Sequence, residues 1–288
     1  MMQVGSYSVT VIEAERFRLD GGAMFGVVPK PLWSRSHPPD EKNRIQMVTR
    51  CLLARGEGRV VLVDTGMGDD WSEKEREIYA IENGRHSILA ALAARGVAAS
   101  DVTDVVLTHL HFDHAGGAVT REQGRPAPAF ANARYHVQES QYRWALDPTE
   151  KDRRSFRPDT FVPLEESGRV ARVDGEAEIL PGVHVLPTQG HTIGHQIVRI
   201  GEGPGSIVYC GDLIPMAAHL PLPWVMSYDL HPVTTMNEKR ALLRQAADGE
   251  WILVLEHDPF QQAVRVARQG DGFVPAGQVA ISTDSATT

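Results

Sequence analysis

The chain has 288 residues, 23% of them charged and 42% hydrophobic, with a formal net charge of −8. That is the balance of an ordinary globular protein, and its length allows one large domain or two small ones. No apolar run is long enough to span a membrane, and no basic stripe is present to neutralise nucleic-acid phosphates, so both partners are set aside. The N-terminus alternates Val4, Val9 and Val11 with polar residues, carries Glu13, Glu15 and Arg16, and lacks the apolar core of a secretory signal. It reads as a first strand.

Strand-like runs recur at Tyr7–Ile12, Met47–Leu53 and Val60–Asp64, the last two joined by the turn Arg55-Gly56-Glu57-Gly58. The third ends in the glycine-rich loop Asp64-Thr65-Gly66-Met67-Gly68. A helical pattern follows over Ser87–Arg95, with Ile88, Leu89 and Leu92 on one face and Gly96 as its stop. A strand at Asp104–Leu107 comes next. Arg134–Val137 reads as a strand, Glu139–Leu146 as a helix, and Asp147–Pro163 as a polar, proline-punctuated stretch. Within it Lys151-Asp152-Arg153-Arg154 reads as a solvated loop.

The second half resumes the strand rhythm at Val170–Val173, Val183–Leu186, Gln196–Ile200 and Ile207–Cys210. Thr234–Ala247 reads as an amphipathic helix burying Ala241, Leu242 and Leu243. Trp251–Leu255 and Ala263–Arg268 are the last strands, and the tail after Ala280 reads as frayed. Helices fall between groups of strands rather than between every pair. That predicts an α/β (α+β) fold of two sheets with helices outside, not a regular parallel barrel. Cys51 and Cys210, the two cysteines of the chain, lie in apolar runs. They read as buried free thiols, as expected in a reducing, cytoplasmic setting.

The most informative stretch is Thr108-His109-Leu110-His111-Phe112-Asp113-His114-Ala115-Gly116-Gly117. Three imidazoles and a carboxylate fall within six residues directly after Val105-Val106-Leu107. Neutral imidazole and carboxylate are the ligands a borderline cation such as zinc prefers. His109 and His111 share one side of an extended segment, and Asp113 and His114 follow at a tightening turn, offering a second cation a seat nearby. Three later positions place a polar ligand at the end of an apolar strand: His191 after Val185-Leu186-Pro187-Thr188, Asp212 after Ile207-Val208-Tyr209-Cys210, and His257 after Ile252-Leu253-Val254-Leu255. Loops at strand ends are where scaffolds commonly carry functional groups.

With those residues in hand, the chain resembles the metallo-β-lactamase superfamily. The elements are His109-x-His111-x-Asp113-His114, Gly190-His191-Thr192, Gly211-Asp212 and His257, with Asp64-Thr65-Gly66 as the earlier loop. The resemblance implies an αββα sandwich of two mixed sheets, with residues 1–288 as one domain of that type. It implies two divalent ions, zinc first, with Mn, Co or Fe as alternatives. His109, His111 and His191 would hold one, Asp113, His114 and His257 the other, and Asp212 would bridge them. Asp113 and Asp212 become the catalytic candidates, the first orienting an activated water and passing its proton to the leaving oxygen. Asp64 is a candidate to fix an imidazole. Aspartate at 212, with Cys210 two residues earlier, separates the chain from secreted β-lactamases.

Within that family the nearest likeness is to quorum-quenching lactonases, carried by Leu107–Gly117, Gly211-Asp-Leu-Ile-Pro-Met216 and Leu222-Pro-Trp-Val-Met-Ser-Tyr-Asp229. It implies a small lactone or ester as substrate, N-acyl homoserine lactones first, and a homodimer as one arrangement. Aryl esters or organophosphate triesters on the same site are the alternative, and a non-hydrolytic iron redox or structural metal protein the distant one. Those lactonases carry a tyrosine three residues after the bridging aspartate, where this chain has Pro215. Either Tyr228 or His219 supplies a donor instead, or metal alone polarises the carbonyl. Met24, Phe25, Trp33, His219, Leu220, Trp224, Met226 and Tyr228 are the candidates to line a substrate pocket; core packing or a dimer contact is the other account of these residues. His195 is placed either behind the ligands or in packing. His37, His86, His136, His184 and His231 have no ligand-like context.

Overall fold

A computed structural model describes residues 1–82, 87–122 and 124–281. The first sheet uses Met2–Val4 (β1), Tyr7–Asp20 (β2), Arg44–Gly56 (β3), Arg59–Val63 (β4) and Asp104–Val106 (β5). After a small ribbon of Val119–Glu122 (β6) and Arg125–Pro128 (β7), it is completed by Arg134–Gln138 (β8) and Val170–Val173 (β9), in the order β1-β2-β3-β4-β5-β8-β9. The second runs in sequence order through Ala177–Leu180 (β10), Val183–Thr188 (β11), His195–Ile200 (β12), Ile207–Tyr209 (β13), Ile252–Val254 (β14), Ala263–Gln269 (β15) and Gly272–Val279 (β16). Both are mixed: β4, β5, β8 and β9 pair in parallel, as do β13 and β14, and the remaining neighbours within the two sheets are antiparallel.

Three apolar layers hold the stack. Val9, Val11, Leu52 and Val61 of the first sheet meet Val183, Val185, Ile200 and Val254 of the second. On the outer face of the first sheet Leu53, Leu62 and Val105 pack under Ile88 and Leu92 of the helix Ile88–Ala93 and Tyr142 and Ala145 of Glu139–Leu146. On the outer face of the second, Val208, Leu253 and Val264 pack under Leu242, Leu243 and Ala246 of Pro232–Asp248. Sheets apolar on both faces need a cover on each, which yields the αββα order. This is the predicted sandwich. Ala241, expected on the buried side of the last helix, is exposed, and Ala246 takes its place.

Strand direction decides where the site forms. Parallel pairing sends the C-terminal ends of β4 and β5, and of β13 and β14, to common rims, and β11, two antiparallel steps from β13, ends on the same side as β13. Asp64, Thr108, His191, Asp212 and Glu256 all follow these ends within a few residues. Arg50 fastens the sheets beneath that rim. Its guanidinium, 1% exposed, donates to the Leu255 and Asp258 carbonyls and to Glu13. The tail expected to fray after Ala280 is still packed at Ile281, which is buried between the sheets; His86 and residues 282–288 lie outside the described residues.

Candidate metal centre

The loop after β5 is shaped by a close fit with the loop after β4. Asp64 accepts from the Thr108 amide (2.7 Å) and hydroxyl (2.6 Å), and the Thr65 amide and hydroxyl both donate to the His114 carbonyl (2.8 Å each). A Cβ on Gly116 would stand 2.1 Å from the Met67 carbonyl oxygen, and one on Gly117 2.3 Å from that of Thr65. Only glycines let the two loops lie this close. His111 bridges to Phe156 as an isolated β-pair, and Phe112–Ala115 turns into a short helix, which swings Asp113 and His114 toward the second sheet.

Two groups of donors converge there. His109, His111, His191 and Asp212 form one, and Asp113, His114 and His257 the other, each with ligand-type atoms within 4.8 Å of one another. All seven side chains are buried. Asp212 lies between the groups: its Oδ2 is 3.1 Å from His191 Nε2 and 3.7 Å from His114 Nε2, and its Oδ1 3.1 Å from His257 Nε2. The rings face one another nitrogen to nitrogen, His191 Nε2 to His111 Nδ1 at 3.2 Å and His257 Nε2 to His114 Nε2 at 3.3 Å. One proton at most can be shared in each such pair, and His109 Nε2 is buried with no hydrogen-bond partner. Divalent cations among these atoms would give the facing nitrogens a common partner, and the nitrogen and carboxylate donors suit a borderline metal.

An outer ring of acceptors turns the imidazoles inward. His191 Nδ1 is 3.0 Å from Asp229 Oδ1, His257 Nδ1 2.9 Å from the Val48 carbonyl, and His114 Nδ1 3.0 Å from both Asp64 and Glu256. Each acceptor holds the proton on Nδ1 and leaves Nε2 to the cluster. Asp64 thus does what its position at a strand end implied. Asp229 and Glu256 went unread in the sequence; the acid flanking His257, in Glu256-His257-Asp258, was the one local sign. His195 is no donor to the cluster: its Nε2 accepts the Asp212 amide at 3.1 Å and its Nδ1 meets the Thr188 hydroxyl at 2.7 Å. Gly211 passes over that ring at φ +48, and a Cβ there would sit 2.6 Å from Nε2. Pro215 lends its carbonyl to the His257 amide at 3.0 Å.

Electrostatics in the cluster are opposed. Burial and neighbouring imidazoles hold His109 and His111 well below the usual histidine range. Burial works against charge on His191 and His257 too, but Asp212 and further carboxylates carry both up to about 9. On His114 burial is likewise overcome by Glu256, Asp113 and Asp212, and its pKa stands well above the usual range. Burial would raise Asp212, yet His191, His114 and His257 hold it well below the carboxylate range. Burial pushes Glu256 up to about 7 against the pull of His114. A cation entering here displaces protons, so loading is favoured by rising pH.

A cleft of about 170 Å³ opens over the cluster. Asp113, His111, His191, Asp212 and His257 form its floor, and Leu19, Met24, Met47, Phe112 and Met226 an apolar wall, with Tyr79 and Tyr228 beside them. Of the expected pocket residues, Met24, Met226 and Tyr228 are there. Phe25 is wholly buried, stacked on Trp33 (5.3 Å) and on His219 (5.0 Å), with Trp224 edge-on to it. These four pack behind the wall, and Leu220 belongs to the layer under the last helix. His219 gives its Nε2 to the Met24 carbonyl (2.8 Å) and is no donor to the cleft, and Trp33, 1% exposed, offers no surface to a partner subunit. Lys151 and Arg154 line the cleft, although the sequence reads their segment as a solvated loop. A larger cavity of about 290 Å³ lies elsewhere, bordered by Gly68, Asp70, Gly117 and Arg121. None of the clustered donors lines it, and its Arg121 and Asp70 are already paired at 2.7 Å.

Sheets stacked face to face, with ligand-type side chains gathered where strand ends of both meet, are the architecture of a metal-dependent hydrolase. Comparison with known proteins is more specific. A sequence model of the Metallo-beta-lactamase superfamily matches residues 45–257, and the chain belongs to that superfamily. A probable metallo-hydrolase of Mycobacterium tuberculosis is 29% identical over 248 residues, covering 75% of this chain and 76% of its own. An N-acyl homoserine lactonase of Bacillus thuringiensis is 30% identical over 168 residues, 55% of this chain and 60% of its own. The solved structure of a probable metal-dependent hydrolase from Staphylococcus aureus, 29% identical, matches with a TM-score of 0.86 over 97% of this chain and 100% of that one. Cys51 and Cys210 are both buried and free. Among the described residues no helix is long and apolar enough to cross a membrane.

Proposed function

We propose that the chain opens lactone or ester bonds at a centre of two divalent cations, zinc first, with N-acyl homoserine lactones as the leading substrates. The observation that carries this reading is the pair of donor groups sharing Asp212 at the floor of an apolar cleft. His109, His111 and His191 would hold one ion and Asp113, His114 and His257 the other. Bound together, two such cations supply Lewis acidity and bring the pKa of water from 15.7 to about 7.

The chain's own residues do the rest. Asp113, which lines the cleft, would accept a proton from the attacking water and return it to the leaving oxygen. Tyr228 supports the substrate carbonyl. Burial, then Asp113, raises its phenol well above the ordinary range, so it stays protonated and able to donate. It therefore takes the role that His219, turned to Met24, does not. The wall of Leu19, Met24, Met47 and Met226 excludes water and receives apolar substituents. That same wall favours a second reading, aryl esters or phosphotriesters on the same centre. The lactonase of Bacillus thuringiensis, at 30% identity over about half the chain, weighs toward lactones.

A panel of homoserine lactones of varied acyl length tests this, with proton release read by a pH indicator and Asp212→Ala alongside. Turnover by the zinc-loaded protein that disappears in the variant is expected. No turnover on any lactone, with hydrolysis of aryl esters or phosphotriesters, would transfer the reading to the second class.

A further inference from the structure

Besides its methionines, the lining of the cleft carries the cations Lys151 and Arg154. The segment Asp147–Pro163 folds over the site, pinned by the His111–Phe156 bridge and by Lys151, whose ammonium donates to the carbonyls of Ser227, Tyr228 and Asp229 at 2.8, 3.0 and 2.9 Å. Its other cations are engaged: Arg153 donates to the Pro148 carbonyl, and Arg157 lies 4.5 Å over the Trp71 ring and 3.6 Å from Asp159. Arg154 differs. It is exposed, it lines the cleft beside Ser155, and no hydrogen bond or ion pair holds its guanidinium among the described residues.

With the reacting group over the clustered donors, a longer arm of the substrate would run along the lining of the cleft, where Arg154 stands. That lining carries the apolar side chains Leu19, Met24, Met47 and Met226 and also Arg154. In a chain of net charge −8, an unpaired guanidinium is a local reversal of field that would concentrate an anion. Its planar fork matches a carboxylate with two parallel hydrogen bonds. We propose that Arg154 is a specificity-determining residue that binds a carboxylate on the arm of the substrate, so that lactones and esters with an anionic arm are preferred over neutral ones of equal length. This rests on the hydrolase reading above and narrows its substrate class.

Two matched pairs test it on the zinc-loaded full chain: N-succinyl against N-butanoyl homoserine lactone, and mono-para-nitrophenyl glutarate against para-nitrophenyl pentanoate. The expected result is a higher kcat/KM for the anionic member, expressed mainly in KM and weakened by salt. In Arg154→Leu that preference falls by about tenfold or more, the scale of a lost charge-assisted contact, and Arg154→Lys recovers part of it. Metal content measured on each variant separates this from damage to the centre. An anionic-to-neutral ratio that is the same in wild type and Arg154→Leu overturns the proposal. If no ester or lactone is hydrolysed, the substrate reading fails on its own. Calorimetric binding of glutarate then decides for Arg154: weaker in the leucine variant upholds it, equal affinity overturns it.

Discussion

Asp229 illustrates how much of the centre depends on groups outside it. Its Oδ1 holds His191 Nδ1 and its Oδ2 accepts the Met226 amide at 3.1 Å, so one carboxylate aims a ligand-type ring and fixes the loop that carries Tyr228. Asp229→Asn keeps the shape and removes the charge. It is expected to weaken zinc binding by about 10- to 100-fold, the usual cost of losing such a partner, with activity recovering in excess zinc. Competition with a metal indicator measures this, and unchanged affinity would count against the assigned role. Glu15 gives a pH signature away from the cluster. Burial pushes its carboxyl up to about 8 from 4.5, with Thr49 and the Met67 amide donating to Oε2 and opposing the shift. The folded chain therefore keeps a proton here that the unfolded chain releases, so the stabilisation is complete below about pH 4.5 and is lost as pH rises through about 8. Melting temperature should decline over that window in the wild type and decline less in Glu15→Gln.

The elements around the cleft show a similar division between what sequence reveals and what packing decides. Lys151→Met would free the carbonyls of Ser227, Tyr228 and Asp229 and let the Tyr228 loop drift. A loss of about tenfold in kcat/KM with zinc content unchanged is expected, since small misplacements near reacting groups are costly; steady-state kinetics beside metal analysis checks it. The donor residues themselves were legible because they are contiguous or sit at strand ends, where alternation of apolar residues stops and a histidine or aspartate begins. Other elements were hidden for physical reasons. β2 runs on to Asp20 through a register shift between Glu13 and Glu15, and that bulge breaks the alternation a strand is recognised by. In β16, Pro275 and Gly277 do the same. The helix Glu73–Tyr79 buries none of its residues and so has no apolar stripe, though the capping pair Ser72 and Glu75 marks its start. Arg154 is exposed, as a solvated loop implies, and its place at the cleft is not legible locally because the pairing of His111 with Phe156 and the contacts of Lys151 bring its loop over the site.

At the scale of the whole molecule, the clustered donors come from both sheets. His109, His111, Asp113 and His114 follow β5 of the first, while His191, Asp212 and His257 follow β11, β13 and β14 of the second. Cations seated among them would cross-link the stack at its rim, adding to Arg50 beneath. Ligand that binds only the folded state stabilises it by mass action, about 4.1 kcal/mol at a thousand times its dissociation constant. Chelation should therefore lower the melting temperature and zinc should restore it; a melting curve indifferent to chelator would mean the donors hold no ion. The parts of Glu256 and Asp229 became visible only at this scale, because each is defined by a partner more than thirty residues away in the chain.

The most direct test titrates zinc into metal-free protein while following bound metal per chain and the rate of opening of an N-acyl homoserine lactone. The account predicts that hydrolysis rises with loading and reaches its plateau at two ions per chain, with Asp212→Ala neither binding the pair nor turning over. Full activity without metal, or two ions bound with no ester or lactone cleaved, would contradict it.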